Sequence, residues 1–383
     1  MKPFTPIMFS FGIASMSLAQ TINAEESLDN FISGTKINAN FRYRLESVDK
    51  DNNLKSAVAN TLKSRLTIAS GSVYGFSALI EGDNTLHITD DFNSTDNNNT
   101  QYQVVADPET TQFNQAYIEY NGYKSNIKLG NQRILLDNQR HVGGVGFRQD
   151  EATFDAVSVT SQAIDNTKAY IAVANNRNTI TNTNTNEDII LINVQYQIQP
   201  SLKASAFYYA IESETGSTLD TLGFRALGST GKFSYEGEVA TQDDGANSPI
   251  YYHLNASYPI SNIKATLGLE TLGSDSGQAS FKTPLGTNHK FFGWSDTYLG
   301  APDGNGLQDI YISAVTNISG VKLVGQLHSF SSVETSTDLG SELGFLAAKQ
   351  FKQYGVSLKL AQFNAGDIGV DATKVWLTGT AKF

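Results

Sequence analysis

The stretch INANFRYRLE, residues 37–46, alternates strictly: Ile37, Ala39, Phe41, Tyr43 and Leu45 fall on one parity, and Asn38, Asn40, Arg42, Arg44 and Glu46 on the other. Period-two alternation is the pattern of a β-strand with two dissimilar faces. It recurs at Tyr74, Phe76, Ala78 and Ile80 against Ser77 and Glu81, and at Ile192, Val194, Tyr196 and Ile198 against Asn193, Gln195 and Gln197. Phe233, Tyr235 and Val239 against Ser234, Glu236 and Glu238 repeat it, as do Ile263, Ala265, Leu267 and Leu269 against Lys264, Thr266 and Glu270. No comparable stretch follows a helical period.

Extended along the chain, this pattern predicts about eighteen strands whose connections alternate short and long. The short ones fall at 71–72, 121–124, 161–166, 199–201, 228–230, 259–261, 317–320 and 349–352. The long ones fall at 48–59, 84–111, 134–151, 176–187, 213–218, 242–249, 272–307, 331–337 and 364–373. With every tight turn at one end, the expected fold is all-β: a transmembrane antiparallel up-and-down barrel with short periplasmic turns, both termini periplasmic and a polar lumen. Such a barrel inverts the soluble rule, with its apolar face toward lipid and its polar face toward water, so no dry core is needed. Tyr74, Tyr120, Tyr196, Phe233, Tyr258 and Tyr354 stand on the apolar parity near short turns, as an interfacial girdle would. The last strand ends at Phe383 like an assembly signal, which makes the barrel-assembly machinery an expected partner beside outer-membrane lipid. A secreted adhesin or β-helix would not require the alternation of turns and loops.

Composition agrees. Of 383 residues only 17% are charged, against about 25% in soluble domains, while 21 Phe and 17 Tyr exclude a disordered chain. The absence of cysteine excludes thiol-based metal or redox sites, and a net charge of -11 argues against nucleic acid. No internal apolar run approaches the ~18 residues of a spanning helix. Residues 1–24 read as a signal peptide: Lys2 supplies the positive start, Phe4 to Leu18 the apolar centre, and Ala24 a small residue before Glu25. Residues 25–383 then form a single barrel domain exported to the outer membrane of a Gram-negative bacterium.

Two blocks carry a family likeness. Asn114-Gln115-Ala116-Tyr117, Lys128-Leu129-Gly130-Asn131-Gln132-Arg133-Ile134, Leu136-Asp137-Asn138-Gln139-Arg140-His141-Val142-Gly143 and Val145-Gly146-Phe147-Arg148-Gln149 make up the first. Phe281-Lys282-Thr283-Pro284-Leu285, His289-Lys290-Phe291 and Gly293-Trp294-Ser295-Asp296 make up the second. With these motifs the mature chain resembles the alginate export family of outer-membrane channels. The resemblance implies a monomeric eighteen-stranded barrel and an anionic polysaccharide as cargo. Asn131 stands where the family usually carries a basic residue.

Charged residues on the polar parity belong in a watery lumen. Arg42, Arg44, Lys63 and Arg65 lie on adjacent strands and form a basic ladder. Lys128, Arg133, Arg140 and Arg148 extend it, while Glu81, Glu236 and Glu238 supply acidic lining. These charges either brace the barrel across strands or orient a solute by sign. Guanidinium forks suit carboxylates such as uronates. The glycines around Arg140 and Arg148 permit loop 134–151 to fold inward, and Phe291 with Trp294 are expected to anchor loop 272–307 on the rim.

No catalytic constellation is legible, so an enzyme is not expected. Gly228-Ser229-Thr230-Gly231-Lys232 lacks phosphate-loop spacing. The five histidines show no paired ligand spacing, and the acidic run Asp90–Asp96 lacks the glycine and glutamate of a calcium loop, so no cofactor is expected. The expected function is passive transport of anionic sugars, alginate or oligouronate-like, or of small polar solutes. A general or cation-selective porin, or a non-conducting adhesive barrel, is the alternative.

Overall fold

The computed structural model describes residues 24–383. One helix, α1 (Ala24–Ser33), precedes β1 (Lys36–Lys50), β2 (Ala57–Ala69), β3 (Phe76–His87), β4 (Thr110–Gly122), β5 (Ser125–Gln132), β6 (Thr153–Ser161) and β7 (Thr167–Asn178). There follow β8 (Asp188–Gln199), β9 (Leu202–Glu212), β10 (Thr218–Thr230), β11 (Phe233–Asp243), β12 (Ile250–Ile260), β13 (Ile263–Leu272) and the two short strands β14 (Ser274–Asp275) and β15 (Ala279–Ser280). The chain ends with β16 (Leu307–Ile318), β17 (Val321–Ser331), β18 (Asp338–Phe351), β19 (Tyr354–Asn364) and β20 (Ala372–Lys382). Apart from β14 and β15, which pair only with each other, each strand is antiparallel to its neighbours in one 18-stranded sheet. β20 returns to β1, with Tyr43 opposite Gly379, and closes the barrel.

The expected alternation of turns and loops is the one observed. Boundaries differ by a few residues: Gly228–Thr230, expected as a turn, belongs to β10, and the chain reverses at 231–232. The helix α1 was not legible as a period. The proposed signal peptide lies almost wholly outside the described residues, and α1 begins at its last position, Ala24.

Parity is also as expected. Phe41, Leu66, Ile80, Ile118, Phe224, Leu267 and Leu343 face outward and are exposed, whereas Arg44, Glu46, Lys63, Glu81, Glu238 and Glu270 point inward and are buried. A β-bulge resets it on β4. Glu81 pairs with Gln115 but Gly82 pairs with Phe113, so Asn114 is an extra residue on β4. The bulge turns Phe113 outward, 75% exposed, and leaves Asn114 inside to donate to both Glu81 (2.7 Å) and Glu151 (2.8 Å).

At the short-turn end, Tyr74, Tyr196, Phe233, Tyr258 and Tyr354 are exposed on the outer face, as an interfacial girdle requires. Phe383 joins them: its N–H donates to Ala39 O, it accepts from Ala39 N–H, and its ring meets Phe41 and Tyr354. Deleting Phe383 is expected to lower the yield of heat-modifiable barrel on semi-native gels, and an undiminished yield would remove it as an assembly determinant.

One expectation needs correcting. A dry core does exist, inside the long-loop half of the barrel. Ile134, Val142, Phe281, Leu285, Phe292 and Tyr298 from two loops pack on inward-facing Ala172, Ile189, Leu191, Phe207, Tyr209, Tyr251, Phe330 and Phe363. The wall is apolar there because inserted chain, not water, covers it.

Candidate functional site in the lumen

Two segments, 133–152 and 273–306, leave the strand ends and enter the lumen. They meet each other: Gly143 N–H donates to Leu285 O (2.8 Å), and Thr287 N–H to Gln139 O (2.9 Å). Gly143 lies so close to Thr287 that a Cβ would collide with its hydroxyl. Gly293 has φ +81° and packs on the Glu342 carboxylate, so the turn there also excludes a side chain. The backbone N–H groups of Trp294 and Ser295 both donate to Glu342, the latter over 2.9 Å. Phe292 is the fully buried anchor of this loop, whereas Phe291 and Trp294, expected in that role, remain partly exposed.

The ladder predicted from sequence is assembled, since Arg42 stands opposite Lys63 and Asn40 opposite Arg65. It is not a bare positive wall. Arg42 donates to Gln149 Oε1 (2.8 Å), Gly146 O (2.9 Å) and Arg148 O, and Arg44 donates to Phe147 O (2.6 Å). These two arginines therefore hold the tip of the first loop by its peptide carbonyls. Arg65 forks onto Asp83 (2.6 and 2.5 Å) and touches Glu151 (2.5 Å), and Lys63 also meets Asp83 (2.8 Å). Arg133 bonds Glu151 and approaches Glu81 (3.1 Å). Burial pushes the Glu151 carboxyl up, but the Arg133 hydrogen bond and the Arg65 and Arg133 charges carry it down to about 2. Its neighbour Asp150 is raised to about 6 by burial.

Arg140 and Arg148 also depart from the expected pore-lining role. Arg148 is 8% exposed and forks onto fully buried Glu46 (3.0 and 3.1 Å), with Asp107 at 3.6 Å and Asp296 at 3.5 Å. Arg140 is sealed completely: its Nε lies 2.6 Å from Glu270, and its guanidinium stacks over Phe291 and Phe292. On the same side Arg225 holds Glu236 (2.8 Å) and Glu238 (3.2 Å), and His141 meets Glu238 (2.6 Å). Both candidate walls are thus neutralised, largely by loop residues. Asp107, Asp137, Glu151 and Asp296 carry that compensation, and sequence reasoning missed them because nothing local marks which strand a loop carboxylate will reach.

Open space remains between the loops and the short-turn end. A cavity of about 590 Å³ is bounded by Lys128, Arg133, Lys168, Lys203 and Arg225, with Glu81 and Asp137 its acidic groups. Tyr117 and Tyr170 add rings, and Gln115, Asn126, Gln132, Asn193 and Gln195 add amides. Asp137 is already engaged by Asn193 (2.6 Å) and Gln195 (3.0 Å). Among the described residues, Lys168 and Lys203 have no carboxylate within ion-pair distance. A second cavity of about 330 Å³ is bounded by Arg42, Lys63, Arg65, Lys382, Glu81 and Glu151. Lys168 and Lys203 escaped prediction because β7 and β9 carry apolar residues on both parities, Phe207 and Tyr209 pointing inward below the docked loop. Among the described residues no cluster of His, Cys, Asp or Glu is arranged to hold a metal, the run Asp90–Asp96 included.

No family model and no curated protein matches the chain. The alginate-export likeness of the two motif blocks therefore gains no support from these comparisons. Solved structures do match. Pseudomonas aeruginosa OpdO superposes with a TM-score of 0.72 at 11% identity, over 93% of this chain and 99% of that one. P. aeruginosa OccK11 (OpdR) gives 0.68 at 13% identity, over 92% and 97%. Acinetobacter baumannii OccAB4 gives 0.69 at 15% identity, over 92% and 99%. At such identities the likeness is one of fold: this chain is a closed eighteen-stranded antiparallel barrel of the kind that spans Gram-negative outer membranes, and it shares that architecture with the Occ/Opd structures.

Proposed function

We propose that the chain is a passive outer-membrane channel for small polar solutes, with anionic sugars of the uronate class as preferred cargo. The observation that carries this reading is the 590 Å³ chamber and its lysines Lys128, Lys168 and Lys203. Elsewhere in the lumen Lys63, Arg65, Arg133, Arg140, Arg148 and Arg225 are matched by carboxylates. Here, among the described residues, Lys168 and Lys203 have no acidic partner, and Lys128 has only Glu119 at 4.0 Å, the outer limit of an ion pair. Permeation responds to the nearest charges within a Debye length of ~8 Å, so the local excess outranks the whole-chain charge of -11. Tyrosine rings with amide donors suit a polyhydroxylated ring, and the volume lies within the ~300–1,000 Å³ of small-molecule pockets. Arg42 beside the second cavity, held by Gln149 and peptide oxygens, extends the positive lining. Residues 1–24 acting as the export signal, assembly through Phe383 and a monomeric state complete the reading.

Replacing Lys128, Lys168 and Lys203 together by Glu is expected to lower the anion-to-cation permeability ratio several-fold and to weaken block by oligouronates. Reversal potentials across planar bilayers under a salt gradient measure it. Unchanged potentials in an assembled variant would leave a general or cation-selective porin, and an absence of unitary currents would leave a structural barrel.

A further inference from the structure

The ammonium of Lys359 on β19 points into the lumen where both inserted loops meet the wall, and its surroundings are unusual. Among the described residues no carboxylate lies within ion-pair distance of it. Instead Nζ stands 4.3 Å from the Phe147 ring centroid, 4.6 Å from Trp294 and 5.4 Å from Trp376, and 3.0 Å from His289 Nε2. Phe147 belongs to the first loop, His289 and Trp294 to the second, and Trp376 to β20. One side chain of the wall therefore clasps both loops.

With Lys359 as an ammonium, which can only donate, His289 Nε2 accepts and carries no proton. His289 Nδ1 then keeps the hydrogen and donates to Asp296 Oδ1, 2.5 Å away. The imidazole lies flat on Phe147, 3.5 Å between centroids. Asp296 is held in turn by Lys374 (3.3 Å) and Arg148 (3.5 Å). A second proton on His289 would remove the acceptor and set two cations 3.0 Å apart.

We propose that Lys359, His289 and Asp296 form a proton-operated latch: proton uptake by His289 frees Lys359 from its aromatic cage, loosens Phe147, His289 and Trp294 of the two loops from the wall, and widens the lumen toward the long-loop end. The groups facing His289 are Asp296 on its own loop, Arg148 beside Phe147, Arg44 and Glu46 on β1, Lys359 on β19 and Lys374 on β20. Burial lowers the His289 pKa to about 4; Asp296 opposes that shift, while Lys359 and Arg148 add to it. Once released into water, the imidazole returns to its ordinary ~6.5. The sign follows: the latched form binds fewer protons, so its preference is complete above about pH 6.5 and falls as pH drops toward 4, by up to about two powers of ten in the closed-to-open ratio.

The chain has two tryptophans, and both stand at this latch. Intrinsic emission of the refolded barrel therefore reports release without any current being measured. Between pH 7.5 and 4 the emission is expected to shift to the red while single-channel conductance rises. His289→Gln, which cannot take up the proton, should lose both responses, although Asp150 remains. Lys359→Met fills the cage with an apolar chain and should also abolish the response while leaving the loops seated. Emission that stays constant with pH in the wild-type barrel would overturn the latch, as would a full response in either assembled variant. The link to conductance rests on the channel reading. A red shift without current at any pH would refute that reading and keep the latch, and pH-independent current with constant emission would do the reverse.

Discussion

Arg140→Leu is expected to destabilise the barrel by about 3–5 kcal/mol, the penalty for leaving a buried charge without its partner. Arg140 is fully buried and Glu270 is 2% exposed, so water cannot replace the lost guanidinium. Glu270 would keep only the Tyr251 hydroxyl as a donor (3.0 Å). Stacking of the guanidinium on Phe291 and Phe292 is lost as well, at 4.6 and 4.5 Å. The double variant Arg140→Leu, Glu270→Leu removes both charges from a dry site and should recover most of the loss. Urea titration of barrels refolded in lipid vesicles measures both. Equal destabilisation by the single and double variants would show that packing, rather than charge pairing, sets the cost.

The second large effect concerns the inserted loop itself. Excising residues 135–149 and closing the gap with a Gly-Ser-Gly linker should raise single-channel conductance several-fold, because the segment fills the lumen from Arg42 to Glu238. Selectivity should move as well. The excision removes Arg140, His141 and Arg148, the partners of Glu270, Glu238 and Glu46, and those carboxylates would then face water. Exposed lumenal carboxylates favour cations. The enlarged pore is therefore expected to be cation-selective, the reverse of the proposed wild-type preference. A larger pore that kept anion preference would mean that the chamber lysines dominate even without the loop. An unchanged conductance would place the constriction elsewhere, with segment 273–306 as the remaining obstacle.

Most of the barrel is legible in the sequence because the signals that build it are local. A period of two needs only neighbouring residues, and the spacing of turns fixes strand number and direction. Arg42, Arg44 and Glu46 could be assigned to the inner face, and Phe41 and Tyr43 to the lipid, before any pairing was known. The same locality explains the failures. On β8 and β9, Ile189, Leu191, Phe207 and Tyr209 face inward although apolar, because a loop from elsewhere in the chain covers them. Parity alone has no means of distinguishing lipid from an inserted loop, since both offer apolar contact.

The sequence by itself therefore determined the strands, their number, their inner and outer faces and the end at which the turns lie. Tertiary structure alone decided which charges cancel. Arg148 and Glu46 are 102 residues apart, and Arg42 reaches Gln149 across 107. No spacing rule connects such residues, because their meeting depends on where closure of the sheet carries each strand and on how deep each loop descends. For the same reason the lysines left over for a solute, Lys168 and Lys203, became recognisable only after every neighbouring carboxylate had found its partner. A local field is a residue of long-range pairing, and the pairing is set by the closed barrel.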